Sequence, residues 1–421
     1  MSGSTARVST RVPVRPSAAR RAYDPRTWPW WVQTLAVYAV SRLFLVVVFV
    51  RVALVQEANL WTQAQPSYLS YVATLFDGTW YRTIAESGYP ATLPVDSQGL
   101  VTQNAWAFFP AFPMLVRAVM NLTGGTWIVV APLVATVLGA AAMVVVHRVI
   151  TVGAPRAVAA WPGLPLATVA VVCAFPTSGV LQVAYTESLA LLLIASALLL
   201  VIRRRYEWAA LVVIVLGFTR AVALPMAVVV VVHGLVRWQA GRRGEDKLPV
   251  RDVVRMGALT VVAVLSGFVW PAVCGWATGV PDGYLLTQES WRWAKTVEPF
   301  IGWTYVPQYW FGSWAPVVVV GGLGLTALTI LMPSAWRLGR ELHAWAASYV
   351  LYIAAVAEPG SSLARFLLLA FPLGAATVGV VTSSPRARRR WLALLLIAML
   401  AFQVLWVRQI WLFNPHGDWP P

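Results

Sequence analysis

The sequence predicts an all-α, polytopic transmembrane helical bundle, and three observations predict it. Hydrophobic residues make up 59% of the chain and charged residues only 11%, a balance that would leave large apolar patches on a soluble protein. Apolar runs near the roughly 20 residues needed to cross a bilayer recur along almost the whole chain. The Lys and Arg residues, which bring the net charge to +16, are gathered in short clusters between those runs, where the positive-inside rule puts them. That placement argues for membrane topology and against nucleic acid as a partner.

Residues 1–30 are Arg-rich, contain Ser and Pro, and are poor in apolar side chains, so they read as a disordered, basic cytoplasmic tail. Residues 31–421 read as one transmembrane domain. The first apolar run is followed by Gln56, Glu57 and Asn59 rather than by a small-residue cleavage site, and no cleavage is expected there. Candidate spans lie at 32–55, 127–147, 164–182, 185–202, 207–219, 221–236, 256–277, 314–332, 343–357, 366–382 and 391–412, about eleven in all. Two are short, 207–219 and 221–236, and read as a tight hairpin or a bent re-entrant pair.

With the basic tail inside, alternation of these spans places "HRVITVGAPR" (147–156), "RRRYE" (203–207), "RWQAGRRGEDKLPVRDVVR" (237–255), "SAWRLGRELH" (334–343) and "PRARRR" (385–390) on the cytoplasmic face. All five clusters then agree with one orientation of a multi-pass plasma-membrane protein. The agreement requires that 105–122, "AWAFFPAFPMLVRAVMNL", does not span. Pro110 and Pro113 remove backbone donors from its first turns and Arg117 interrupts its apolar run, which suits an interfacial or half-inserted helix.

The same topology puts most carboxylates on the outer face, Asp77, Glu86, Glu187 and Glu358 among them, together with the isolated bases Arg82, Arg220, Arg292, Lys295 and Arg365. An isolated charge at a membrane boundary is costly unless it meets water, a partner or a ligand. "FDGTWYRTIAESGYP" (76–90) reads as a short helix in the outer interface, stopped by Gly88 and Pro90, with Trp80 and Tyr81 suited to the headgroup layer. Two readings stay open for Asp77, a helix cap or a reactive carboxylate. In "VAYTESLALLL" (183–193), Tyr185, Thr186 and Glu187 stand at the mouth of a span, where a capping box is the alternative to a functional cluster. "LGFTRAVALP" (216–225) isolates Arg220 between apolar stretches, so an anionic partner is favoured over snorkelling. "EPGSSLARFLLLAFPL" (358–373) puts Arg365 at a helix start, where its charge opposes the helix dipole. Arg grips phosphate in a two-pronged geometry, so a carboxylate with two lone arginines suits a lipid whose head carries phosphate. Aromatic residues of 290–314 are suited to stacking on sugar rings or to an interfacial belt. Cys173 and Cys274 fall inside apolar runs and His147, His233, His343 and His416 show no ligand spacing, so neither metal nor cofactor is expected.

Taken in order, "FDGTWYRTIAESGYP", "AFFPAFPMLVR", "AYTESLALLL", "LGFTRAVAL" and "SLARFLLLAFPL" resemble the PIG-V-like mannosyltransferases, bacterial relatives of the second mannosyltransferase of glycosylphosphatidylinositol anchor assembly within the fold-C glycosyltransferases. The resemblance implies a multi-spanning enzyme that moves a sugar, typically mannose, from a polyprenyl-phosphate donor to a lipid or glycan acceptor on the non-cytoplasmic face. It also implies Asp77 as the general base of an inverting transfer. Arg365 and Arg220 would then bind the leaving phosphate and Glu187 would orient hydroxyls, with Tyr185, Trp80, Tyr81 and Arg82 as further substrate contacts. A transporter or flippase of a lipid-linked sugar is the rival reading. Such proteins often carry internal repeats, and the chain shows no convincing repeat.

Overall fold

Inside a bilayer every backbone N–H and C=O must find its partner within the protein, which restricts an apolar chain to helices or a closed barrel. The computed structural model takes the helical route. It describes residues 27–292, 295–381 and 384–413, and the isolated bridge between Val95 and Val101 is the only β contact among them. Of the tail expected at 1–30, residues 1–26 lie outside the described residues, and Trp30 already opens the first long helix.

Five helical stretches are long and apolar enough to cross a membrane: Trp30–Ala53, Trp127–Gly153, Leu224–Arg242, Ile301–Leu331 and Pro385–Trp411. Two bent pairs, Val250–Ser266 with Val269–Thr278 (47°) and Ser361–Leu367 with Pro372–Val378 (79°), raise the number to seven if each counts as one span. Ala111–Thr123, Leu164–Ala174, Glu187–Ile202 and Tyr206–Gly217 are shorter apolar helices. The expected continuous span at 164–182 is broken. Phe175 precedes Pro176 and takes an extended conformation, as steric conflict with the proline ring dictates, and the chain resumes as a 3-10 turn over Ser178–Gln182. The segment 105–122 is likewise not one long helix: Ala105–Ala107 forms a 3-10 turn, Pro110 caps, and Ala111–Thr123 follows. Tyr206–Gly217 and Leu224–Arg242 are not a hairpin either. Both pack on Val250–Ser266, and residues 218–223 form an irregular turn between them.

All five basic clusters come together at one end of the bundle. Trp30 stacks on His147, Leu342 lies against Gly153, and Arg388 donates to the Ala160 carbonyl at 3.2 Å. His233 Nδ1 is 2.8 Å from Glu341 Oε1, and Arg255 meets Glu207 at 2.7 Å. Arg204 grips Asp246 through both nitrogens at 2.9 and 3.0 Å, while Arg237 reaches Asp246 at 2.9 Å and Asp252 at 2.6 Å. The 203–207 and 237–255 loops are thereby tied to each other by charge.

The opposite end holds a tight steric corner that the sequence pattern does not announce. Between Tyr68–Thr74 and Asp77–Ser87 the chain turns so sharply that a Cβ on Gly78 would sit 2.6 Å from the Ala73 carbonyl oxygen. A glycine in a helix ordinarily costs about 1 kcal/mol relative to alanine, so alanine here would be expected to stabilise if only propensity mattered. We expect the reverse: Gly78→Ala should lower the melting temperature of the detergent-solubilised protein, with an overpacking cost of about 1–3 kcal/mol, and a raised melting temperature would refute the close approach. At the other end, the hydrogen bonds from Arg237 and Arg204 hold the Asp246 carboxyl below its ordinary range. Its contribution to stability is therefore complete above about pH 4, the ordinary carboxylate value, and is lost as pH falls through the depressed folded value. Asp246→Asn should flatten the acid limb of a stability-versus-pH curve while lowering stability at neutral pH.

Candidate active site

The corner before Asp77 is fastened to the turn before Glu187. The Ala184 N–H donates to the Val72 carbonyl at 3.0 Å, Trp127 Nε1 donates to the Ala73 carbonyl at 2.8 Å, and the Tyr185 hydroxyl accepts the Asp77 N–H at 3.2 Å while donating to the Leu75 carbonyl at 3.4 Å. Between these anchors Phe76 takes φ 53°, a left-handed conformation that side chains rarely adopt and that costs on the order of 1–3 kcal/mol. Its ring is buried, with centroids 5.0 Å from Trp61 and 6.0 Å from Trp411, and that packing offsets the strain. The consequence is directional: Asp77 becomes the first residue of its helix, with its side chain released from capping.

Neither capping alternative for the acidic residues is realised. Phe76 stands in the cap position without a side-chain bond, and the Asp77 carboxylate accepts from Arg365 Nη1 at 2.7 Å instead. Glu187 opens Glu187–Ile202 behind Thr186, which also makes no cap bond. Glu187 Oε1 accepts from Arg220 Nη1 at 2.7 Å and lies 3.2 Å from Arg365 Nε, and the Thr186 hydroxyl accepts from Arg220 Nη1 at 3.0 Å. Two carboxylates and two guanidiniums thus form one chain, Asp77–Arg365–Glu187–Arg220. The guanidiniums rest on aromatic faces, Arg220 at 4.6 Å and Arg365 at 5.2 Å from the Phe366 ring, with Tyr185 4.9 Å from Arg365. Arg365 lies in the last turn of Ser361–Leu367, not at a helix start as the sequence suggested. The helix is only two turns long, and its charge there favours the dipole.

The network is buried yet incompletely bonded. Glu187 is fully buried and its Oε2 has no partner among the described residues, and Arg365 Nε is close to Glu187 without being aligned to bond it. Buried polar atoms are nearly always satisfied in the absence of a functional reason. Asp77, Arg220 and Arg365 line a cavity of about 590 Å³ whose remaining wall is largely apolar, with Phe108, Phe109 and Tyr352 contributing. Asp77 is engaged by Arg365 through Oδ2 alone, leaving Oδ1 without a protein partner among the described residues.

The other expected contacts divide. Tyr81 lines the cavity and is buried, its hydroxyl 3.4 Å from Thr186 Oγ1; burial, reinforced by the Asp77 charge, pushes its phenol well above the ordinary range, so it remains a donor. Trp80 stacks on Phe108 at 5.8 Å and meets Trp291 edge-on at 5.3 Å. Both aromatics therefore pack inward instead of serving as outward headgroup anchors, because their helix is covered by the 105–112 segment. Arg82 points away and pairs with Glu86 at 2.9 Å on an exposed face. Phe366 and Glu358, which the sequence left without a role, both line the cavity. The Arg-Phe dipeptide at 365–366 was the available signal for the first. Among the described residues no three His, Cys, Asp or Glu side chains converge on a metal position.

The chain matches no protein-family model and no curated protein.

Removing one partner of a buried ion pair strands the other at a cost of about 3–5 kcal/mol. Glu187→Ala should accordingly destabilise the solubilised protein severely, and adding Arg220→Met to it should restore part of the loss, a coupling that a double-mutant cycle measures. Additive losses would show that the two side chains do not depend on each other.

Proposed function

We propose that the chain is an integral membrane glycosyltransferase that moves a sugar, mannose by the family resemblance, from a polyprenyl-phosphate donor to a lipid or glycan acceptor. The observation that carries this reading is the Asp77–Arg365–Glu187–Arg220 chain, of which Asp77, Arg365 and Arg220 line a largely apolar cavity. A lipid-linked sugar phosphate presents three chemistries at once, an apolar tail, an anionic phosphodiester and hydroxyl groups. The cavity offers apolar walls, two arginines, and carboxylates able to accept from hydroxyls.

In the reaction, Asp77 takes the proton of an acceptor hydroxyl as its oxygen attacks the sugar C1. The C1–O bond to phosphate breaks on the opposite face with its electron pair passing to the phosphate oxygen, and the anomeric configuration inverts. Arg365 and Arg220 stabilise the negative charge that develops on the leaving phosphate, and Glu187 keeps both guanidiniums in register. A donor phosphate competes with Asp77 for Arg365. As Arg365 turns toward phosphate it releases the carboxylate, whose oxygens are then free to accept from the acceptor hydroxyl.

In this reading the bundle is of the fold-C glycosyltransferase type and crosses the plasma membrane about eleven times, with the bent pairs, Leu164–Ala174, Glu187–Ile202, Tyr206–Gly217 and Arg340–Val356 counted as crossings and Ala111–Thr123 left at the interface. Its basic end is cytoplasmic by the positive-inside rule, so the Asp77 end faces outward. Support for this sidedness comes from Glu187–Ile202, which is about 24 Å long at 1.5 Å per residue, starts at the network and ends beside Arg204.

The test uses membranes containing wild type or Asp77→Asn, with labelled mannose supplied as polyprenyl phosphate mannose and transfer into lipid and glycan acceptors measured. Asn keeps the shape of Asp77 and removes the base, so transfer should fall by about 10²- to 10⁴-fold. Equal transfer by both proteins would remove Asp77 from the chemistry, and movement of intact donor across the membrane without transfer would replace the enzyme with a transporter.

A further inference from the structure

A second cavity, about 190 Å³, lies at the basic end of the bundle, away from Asp77. Trp161 and Leu164 line it from the turn before Leu164–Ala174, Ser334 and Arg337 from the short Pro333–Trp336 helix and its cap, and Arg388 from the start of Pro385–Trp406. No acidic residue lines it. Neither Arg337 nor Arg388 joins an ion pair among the described residues. This sets the cavity apart from the Arg204–Arg237 cluster at the same end, whose cations are matched by Asp246 and Asp252.

Two polar atoms at this cavity have no partner among the described residues, the buried Ser334 Oγ and Arg388 Nε. Arg388 is nevertheless held in place. Its Nη1 donates to the Ala160 carbonyl at 3.2 Å and its guanidinium sits 5.4 Å from the Trp161 ring centroid, so the cation is oriented before any ligand arrives, which lowers the cost of binding. The positive end of the 22-residue Pro385–Trp406 helix adds to the field at its first turns.

We propose that this cavity binds a phosphate ester, gripped by Arg388 and Arg337 with Ser334 Oγ as a further hydrogen-bond partner. Arg matches phosphate through paired N–H donors, and basic pockets between helices at a cytoplasmic boundary suit anionic headgroups. The phosphate can belong to an anionic phospholipid or to a soluble phosphate ester. The exposed Leu331, Trp336 and Val380 beside the pocket offer acyl chains a surface that a soluble ester would not use. This inference is independent of the chemistry assigned to Asp77.

The experiment uses the full chain in neutral detergent, with thermal unfolding followed during titration of phosphatidylglycerol, phosphatidylcholine or inorganic phosphate. The proteins compared are wild type, Arg388→Gln, Ser334→Ala and, as a control for bulk charge, Arg386→Gln, which changes an exposed arginine outside the lining. Wild type should be stabilised by phosphatidylglycerol, with Arg388→Gln binding about tenfold more weakly or worse, the scale of one charged hydrogen bond, and Arg386→Gln binding as wild type. Because Ser334 Oγ has no partner to lose, Ser334→Ala should fold normally and still bind more weakly, which separates a binding defect from a folding defect. Stabilisation by phosphatidylglycerol that inorganic phosphate does not displace identifies a lipid headgroup, whereas stabilisation by inorganic phosphate alone identifies a soluble ester; either supports the pocket. Equal titration curves for wild type, Arg388→Gln and Ser334→Ala, or an equal loss in Arg386→Gln, would overturn it.

Discussion

The rest of the Asp77 end of the bundle depends on Arg365 standing between two carboxylates. A single guanidinium buried in an apolar bundle would be costly, and here it is compensated from both sides, by Asp77 at 2.7 Å and by Glu187 at 3.2 Å. The three groups come from three separate parts of the chain, the corner after Tyr68–Thr74, the start of Glu187–Ile202 and the short Ser361–Leu367 helix. Their attraction therefore fixes tertiary structure as well as charge. The strained Phe76 is tolerated because it places Asp77 within reach of this cation, and Tyr185 serves both sides by bonding the Asp77 backbone and supporting Arg365 with its ring.

The two ends of the bundle treat charge in different ways. At the Asp77 end two cations and two anions balance within one buried chain, and the backbone around them is irregular: Arg220 lies in the turn at 218–223 and Arg365 just before the 79° bend. Irregular backbone at membrane depth is sustained where it is buried in protein or lines a cavity, and both arginines line the large one. At the basic end, ion pairs join neighbouring loops, while Arg337 and Arg388 beside the small cavity join none among the described residues. Helices such as Glu187–Ile202 hold these regions apart, so the chemistry of each can be read separately.

Much of this arrangement was legible in the sequence because it rests on spacing and charge. Apolar runs separated by basic clusters implied that 147–156, 203–207, 237–255, 334–343 and 385–390 share one end, and their contacts place them together. Isolated charges pointed to Asp77, Glu187, Arg220 and Arg365, and these four meet. What spacing could not supply was direction. Trp80 and Tyr81 look outward by composition, but cover from the 105–112 segment turns them inward. Arg82 looks as isolated as Arg220 until the helix places Glu86 one turn away. The break at Phe175–Pro176 and the left-handed Phe76 are backbone events inside apolar stretches, where hydropathy carries no signal.

The charge balance of the network constrains how any anion could enter it. Two guanidiniums already matched by two carboxylates offer no net attraction, so an incoming phosphate must displace one carboxylate from its arginine. Glu187 is a poor candidate, since its side chain is wholly buried and holds both cations, and releasing it would leave a charge in apolar surroundings without water. Asp77 retains 16% side-chain exposure, lines the cavity and is bound through one oxygen only. Asp77 is therefore the carboxylate that an incoming anion would displace, toward the cavity it lines. Glu187 is thus placed as the buried counter-ion of both arginines and Asp77 as the exposed one, so the ion pairs that join these three parts of the chain also set which carboxylate an anion would free.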